Sequence, residues 1–219
     1  FCEKPLDLNI ERATACMRKA QAARIPLYLG FNRRYDPSFT RIHREICAGS
    51  SGRLETLHIT SRDPAPPPLE YIARSGGLFR DMMIHDFDMA RWLLGAEPVE
   101  VFARGSALVD ARIGEAGDVD TALVMMRTAE STLCQIGNSR RCSFGYDQRI
   151  EAFGSKGMVR AGNHRETSVT MADSRGYTVQ PALPFFLERY PAAYRLELED
   201  FTHALEGATV ELATGEDGR

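Results

Sequence analysis

The 219-residue sequence carries 26% charged and 43% hydrophobic residues with a net charge of -3, an ordinary globular composition. That balance offers no electrostatic footprint for nucleic acid or an anionic membrane surface, and no apolar run is long enough to span a bilayer. Five cysteines (Cys2, Cys16, Cys47, Cys134 and Cys142) are odd in number and scattered without a C-x-x-C pair. They suggest neither a zinc site nor a disulfide framework, and predict reduced thiols in a cytoplasmic enzyme. The length allows one large or two small domains.

The opening residues, Phe1-Cys2-Glu3-Lys4-Pro5, read as a strand end, because the residue before a proline is pushed towards extended geometry. Such a place can hold the Lys4 ammonium at fixed depth. From Leu6 to Arg24 apolar residues recur at helical spacing (Ile10, Ala13, Met17, Ala20). Pro26 stops that helix, and "LYLGF" follows as a short buried strand. Strand, helix, strand is a βαβ unit of a parallel sheet. One such unit leaves open edges, so further units are expected upstream.

The pattern then changes. Pro37 to Ala48 predicts a short helix ended by Gly49, and "GRLETLHITSRDP" a half-buried strand. "PAPPP" permits only loop. "GGLFRDMMIHDFDMARWLLG" predicts one strong helix stopped at Gly95. Between Val99 and Thr170 six alternating runs separated by turn residues predict a mostly antiparallel sheet. A last helix, "PFFLERYPAAYRLELEDFTHALEG", is kinked or restarted at Pro191. The expected architecture is α/β plus α+β: a parallel-sheet remnant over residues 1–36, then a mixed, mostly antiparallel open sheet with helices on one face over 37–219.

In the helix after the proline loop, Met83, Phe87, Ala90 and Leu94 form a core-facing stripe. Asp81, His85 and Asp88 stand in a second row at spacings of four and three. Flanking carboxylates would fix one His tautomer and raise its pKa, as a general base taking a hydroxyl proton requires. The alternatives are a solvated helix face or a metal site. For the latter His43, His58, His164 and His203 supply no evident third ligand. Ile84 and Trp92 beside the row favour a pocket wall.

Glu3-Lys4-Pro5, then "GFNRRYDP" (Gly30 to Pro37), then Asp81-x-x-x-His85 resemble in order and spacing the Gfo/Idh/MocA oxidoreductases. "HDFDMARWLLG", "FGYDQRIEAFGSKG" and "PFFLERYPAAYRLELEDF" resemble the inositol dehydrogenases among them. The resemblance implies an N-terminal Rossmann domain for NAD or NADP and a C-terminal α+β domain whose open sheet builds a dimer or tetramer. No G-x-G-x-x-G occurs in these residues. The chain thus resembles a family member without most of its Rossmann domain, and "TGEDGR" resembles the turn before a final family helix.

The implied reaction is NAD-dependent oxidation of a secondary hydroxyl of a cyclic polyol, most simply myo-inositol to its 2-ketone. By the same resemblance His85 is the general base, Asp81 its orienting carboxylate, and Lys4 the donor to the reacting oxygen. Asp63, Asp88 and Tyr146 would bind the polyol, and Glu3, Lys4 and Arg34 the cofactor. No metal, nucleic acid or membrane partner is implied. Asp63 departs from the family pattern, since inositol dehydrogenases often carry Asn there, and the proline loop after it is longer than usual. A family member acting on a sugar, or a non-catalytic fragment that only assembles through its sheet, are the rival readings.

Overall fold

The computed structural model describes residues 1–218. The opening βαβ unit forms in miniature. Strand β1 (Cys2–Glu3) pairs in parallel with β2 (Leu29–Gly30), and α1 (Ile10–Ala22) connects them. Helix α1 starts later than the periodicity suggests, because the Asn9 side chain accepts from the Arg12 N–H at 2.9 Å and caps it there. A 3₁₀ turn (Asn32–Tyr35) leads into α2 (Pro37–Cys47). Asp36 caps α2 by accepting from the Ser38 and Phe39 N–H groups, and Pro37 takes the first helical position.

The second part is built on a six-stranded sheet. Its strands are β3 (Leu54–Arg62), β4 (Pro98–Ser106), β5 (Thr121–Thr128), β6 (Leu133–Ser139), β7 (Asp147–Gly154) and β8 (Gly157–Ala161), in spatial order β4-β5-β6-β3-β7-β8. All neighbours are antiparallel except β3 and β6, so the sheet is mixed and open. The last alternating run does not join it. β9 (Thr170–Asp173) pairs only with β10 (Gly176–Val179), as a separate exposed hairpin.

Two short helices, α3 (Leu69–Ser75) after the prolines and α5 (Ala111–Glu115), interrupt stretches that carry no periodic signal. The helix expected to be continuous from Leu78 is broken. Leu78–Met82 is a single wide π turn, closed by the Met83 N–H on the Leu78 carbonyl at 2.9 Å, and α4 proper is Ile84–Leu94. Gly77 makes this start possible. Its φ is 78°, and a Cβ there would lie 2.5 Å from an Asp118 carboxylate oxygen that accepts from the Leu78 N–H. The C-terminal helix is likewise two pieces, α6 (Phe186–Arg189) and α7 (Pro191–Leu205), with Pro191 opening the second.

One face of the sheet is the core. Leu57, Ile59, Val124, Ile136, Ile150 and Ala152 meet Met83, the residue before α4, Met89, Ala90 and Leu93 of α4, and Phe39 and Ile42 of α2. Each such side chain contributes about 1.5–3 kcal/mol by leaving water. The α7 helix packs on the 3₁₀ turn and buries Glu197, which is 2% exposed. Its Oε1 has no partner among the described residues. Burial, with Glu3 and Asp88 adding negative charge, pushes this carboxyl up to about 8 from an ordinary 4.5.

Between pH 4.5 and 8 the folded state therefore holds a proton that the unfolded chain has released. The corresponding stability is fully present below 4.5 and lost as pH rises through 8. Glu197→Gln in the complete protein is expected to flatten the fall of melting temperature across that window. A wild-type slope in the variant would show that Glu197 does not carry it.

Candidate active site

Antiparallel and parallel pairing around β3 bring three chain segments to one end of the sheet. Arg62 is opposite both Ser139 and Asp147, so Asp63, Arg140 and Tyr146 emerge side by side. The 3₁₀ turn supplies Arg33 beneath them, buried. Its guanidinium donates to Asp86 at 2.6 Å, to the Ser61 hydroxyl at 3.0 Å and to the Tyr146 hydroxyl at 3.5 Å. Asn138 donates to the other Asp86 oxygen at 2.9 Å. This buried network fixes Tyr146, whose ring meets Phe185 and Tyr190 edge-on.

Lys4 reaches the same end from β1. Its Nζ donates to the Asp81 carbonyl at 2.5 Å and lies 3.4 Å from the Asp81 Oδ1. The π turn presents both acceptors of one residue to one ammonium. Burial lowers the Lys4 pKa, and Asp81 opposes the drop. An ammonium has three donors; two of these are spent on Asp81, and the third has no protein partner among the described residues. Asp63 is pushed up to about 6 by burial, against the pull of Arg140 and Arg33.

His85 stands at the start of α4, half-buried, edge-on to Phe31 with ring centroids 6.2 Å apart. Its Nδ1 is buried without a hydrogen-bond partner among the described residues. The expected raised imidazole pKa is not found. Burial, followed by the positive charges of Arg33 and Lys4, lowers it well below 6.5. The carboxylate row dissolves for a physical reason: the π turn rotates Asp81 away from α4's register, and Asp81 bonds Lys4, Tyr71 and Arg140 instead of His85.

Asp88 and Arg34 sit together on another side. Arg34 donates to both Asp88 oxygens, at 2.5 to 3.1 Å, and to Asp217 at 2.7 Å. Both are thereby engaged with protein. Asp88 also borders a cleft of about 800 Å³ with Leu8, Phe31, Phe79, Ile84 and Phe87. That cleft is not lined by Lys4, Asp81 or His85 themselves, but by their chain neighbours Pro5, Arg80 and Ile84 and by Phe31, which meets the His85 ring. Glu3 is exposed at the rim, its carboxyl against Gly30.

Sequence reasoning missed Arg33, Tyr71, Asp86 and Arg140. The doubled arginine of "RRYDP" was a usable signal, since adjacent residues point in different directions and can serve different partners. Tyr71 had none.

The profile of the GFO/IDH/MocA C-terminal domain matches residues 39–160. Inositol 2-dehydrogenase of Rhizobium meliloti (strain 1021) is 50% identical over 218 residues, a match covering 100% of this chain and 66% of that protein. The crystal structure of a myo-inositol dehydrogenase from Corynebacterium glutamicum superposes with a TM-score of 0.93 at 47% identity, covering 99% of this chain and 65% of that one. That of scyllo-inositol dehydrogenase from Lactobacillus casei with bound cofactor NAD(H) and scyllo-inositol gives 0.87 at 31% identity, covering 99% and 65%. The chain spans 66% of the length of the first curated relatives it matches. With its mixed open sheet and its sheet-end cluster of Lys4, Asp81 and His85, it belongs to the GFO/IDH/MocA family.

Proposed function

We propose that the complete protein is a cytoplasmic, NAD-dependent oxidoreductase that oxidises a secondary hydroxyl of a cyclic polyol, myo-inositol being the leading substrate. In this reading residues 1–36 belong to its Rossmann domain and residues 37–219 to its substrate-binding and oligomerising domain. The observation that carries it is the unspent donor of Lys4 beside a neutral His85, in a chain similar over nearly its whole length to inositol dehydrogenases.

Lys4 points its third N–H at the substrate oxygen and stabilises alkoxide charge as it develops. Asp81, gripping the same ammonium, keeps that donor aimed. His85, held neutral by its surroundings, receives the hydroxyl proton. Tyr146 and Asp63 border the ring-binding space. NAD bound at this end of the sheet would supply the acceptor for the hydride on the carbinol carbon. Glu3 and Lys4 would face that group, and Arg34, whose Nε and Nη2 are held by Asp88 and Asp217, would have its Nη1 to offer it.

A sugar or amino-sugar substrate is the second reading. It is favoured by Asp63, an acidic group in the substrate space. Turnover of the complete protein with a panel of inositols and sugars, with NAD and with NADP, followed by nicotinamide absorbance, decides between them. Within the leading reading, Lys4→Met is expected to depress kcat more than it weakens NAD binding. If titration shows only a loss of NAD affinity, Lys4 is a cofactor ligand and does not act on the substrate oxygen.

A further inference from the structure

The Asp81 carboxylate is a junction. Besides Lys4 on Oδ1 at 3.4 Å, Oδ1 accepts from the Tyr71 hydroxyl at 2.8 Å, and Oδ2 from Arg140 Nη2 at 3.4 Å. Tyr71 comes from α3, in the stretch between the prolines and Gly76, and is half exposed. Arg140 comes from the end of β6 and is 1% exposed. Its backbone N–H is fixed on the Asp120 carbonyl at 2.8 Å. Asp120 in turn accepts three backbone N–H groups, those of Leu108, Val109 and Asp110.

Arg140 is under-used for a buried guanidinium. Its Nε has no partner among the described residues, and its one side-chain bond goes to Asp81. Such a group is retained at a desolvation cost of several kcal/mol. The charged groups that act on Lys4 are Asp81, Arg33 and Glu3, with His85 nearby. Arg140 and Tyr71 both bond the Asp81 carboxylate and neither bonds Lys4, so Asp81 is the group that links them to it. Asp63, the remaining charge in the cluster, feels both Arg140 and Asp81.

We propose that Tyr71 and Arg140 are positioning residues that act on Lys4 through Asp81. They share its carboxylate, limit how firmly it grips the ammonium, and stop it from turning elsewhere. The inference rests on the reading of Lys4 as the group facing the reacting oxygen. It adds to that reading two residues that touch neither substrate nor cofactor.

The test is competitive acetic-anhydride labelling of the complete protein across pH, with Lys4 read by peptide mass spectrometry against Lys19 and Lys156. Tyr71→Phe frees Asp81 Oδ1 for the ammonium, so the charged form of Lys4 gains. Labelling of Lys4 at a fixed pH below its midpoint falls by roughly threefold, as expected for one altered charge-assisted hydrogen bond. Arg140→Gln moves it the same way, and Arg140→Lys moves it less. In an Asp81→Asn background Tyr71→Phe has no effect, whereas general loosening of the site would still alter labelling. An unchanged Lys4 profile in Tyr71→Phe, or the same change with Asn at position 81, overturns the proposal. The labelling answers even if the complete protein oxidises no cyclic polyol, a result that would instead overturn the functional reading.

Discussion

Replacing His85 by Ala lowers kcat of the complete enzyme roughly 10²–10⁴-fold, the span that a general base contributes. The expectation rests on what surrounds the ring. Among the groups at this end of the sheet, Asp81 is committed to three donors, Asp86 to Arg33, Ser61 and Asn138, and Lys4 carries a proton to give. His85 and Asp63 are the basic groups left, and in the proposed reading Asp63 borders the polyol ring while His85 takes the proton. The His85 pKa is depressed by burial and by Arg33 and Lys4, so the ring is already unprotonated at neutral pH.

The sign for activity follows. A group that must be neutral fails as pH drops through its own pKa, so the acid limb of kcat/KM lies below 6.5. It is this limb that His85→Ala abolishes. The fold should survive the substitution, because the ring makes no hydrogen bond at Nδ1 and contributes an edge contact to Phe31. A near-native rate with an unmoved acid limb removes His85 from the mechanism.

Much of the architecture was legible because it rests on periodicity. Residues 122, 124 and 126 face the core and 123 and 125 do not, as alternation requires, and β5 could be read from that alone. The βαβ start was legible for the same reason. The break at Met83 was not. Residues 78–94 keep helical spacing throughout, and what widens the first turn is tertiary: Asp118 takes the Leu78 N–H, and Lys4 takes the Asp81 carbonyl.

The site followed the same division. Lys4, Asp81 and His85 could be picked out by motif, but their bonding could not, because the four-residue spacing of Asp81 and His85 says nothing about a lysine 77 positions away. The direction of the His85 pKa was misjudged for that reason. The charges that shift it are the cations Arg33 and Lys4, supplied by the 3₁₀ turn and by the end of β1 and not by its own helix. Asp88, in the row by spacing, is claimed by Arg34, which Asp217 near the other end of the sequence also holds.

The second large effect is expected on assembly. We infer that the outer face of the six-stranded sheet is the interface of a homo-oligomer, and that Leu123→Glu with Met125→Glu converts the complete protein to monomers. The pairing register defines the face. Phe102, Met125 and Gln135 lie in one row across β4, β5 and β6, with Leu123 one step along and Leu133 and Phe153 flanking Thr56. Leu123 is 55% and Met125 56% exposed, and Phe102, Leu133 and Phe153 are likewise bare. Val124 and Met126 belong to the core face, while Leu133 is on the outer one.

Helices α2 and α4 pack on the opposite side of the sheet, where they bury Leu57, Val124 and Ile136. Monomers seldom leave a continuous apolar patch of this kind in water. A second copy turned about a two-fold axis covers it most simply. The interface meets each substitution twice, and an unpaired carboxylate buried there costs about 2–3 kcal/mol or more. Dissociation should therefore strengthen by on the order of 10³-fold or more. Because both residues point out of the core, circular dichroism and the melting of the protomer should change little. Sedimentation at micromolar concentration decides it. A wild-type protein that is monomeric, or a double variant that sediments like wild type, means that this face is not where the copies meet.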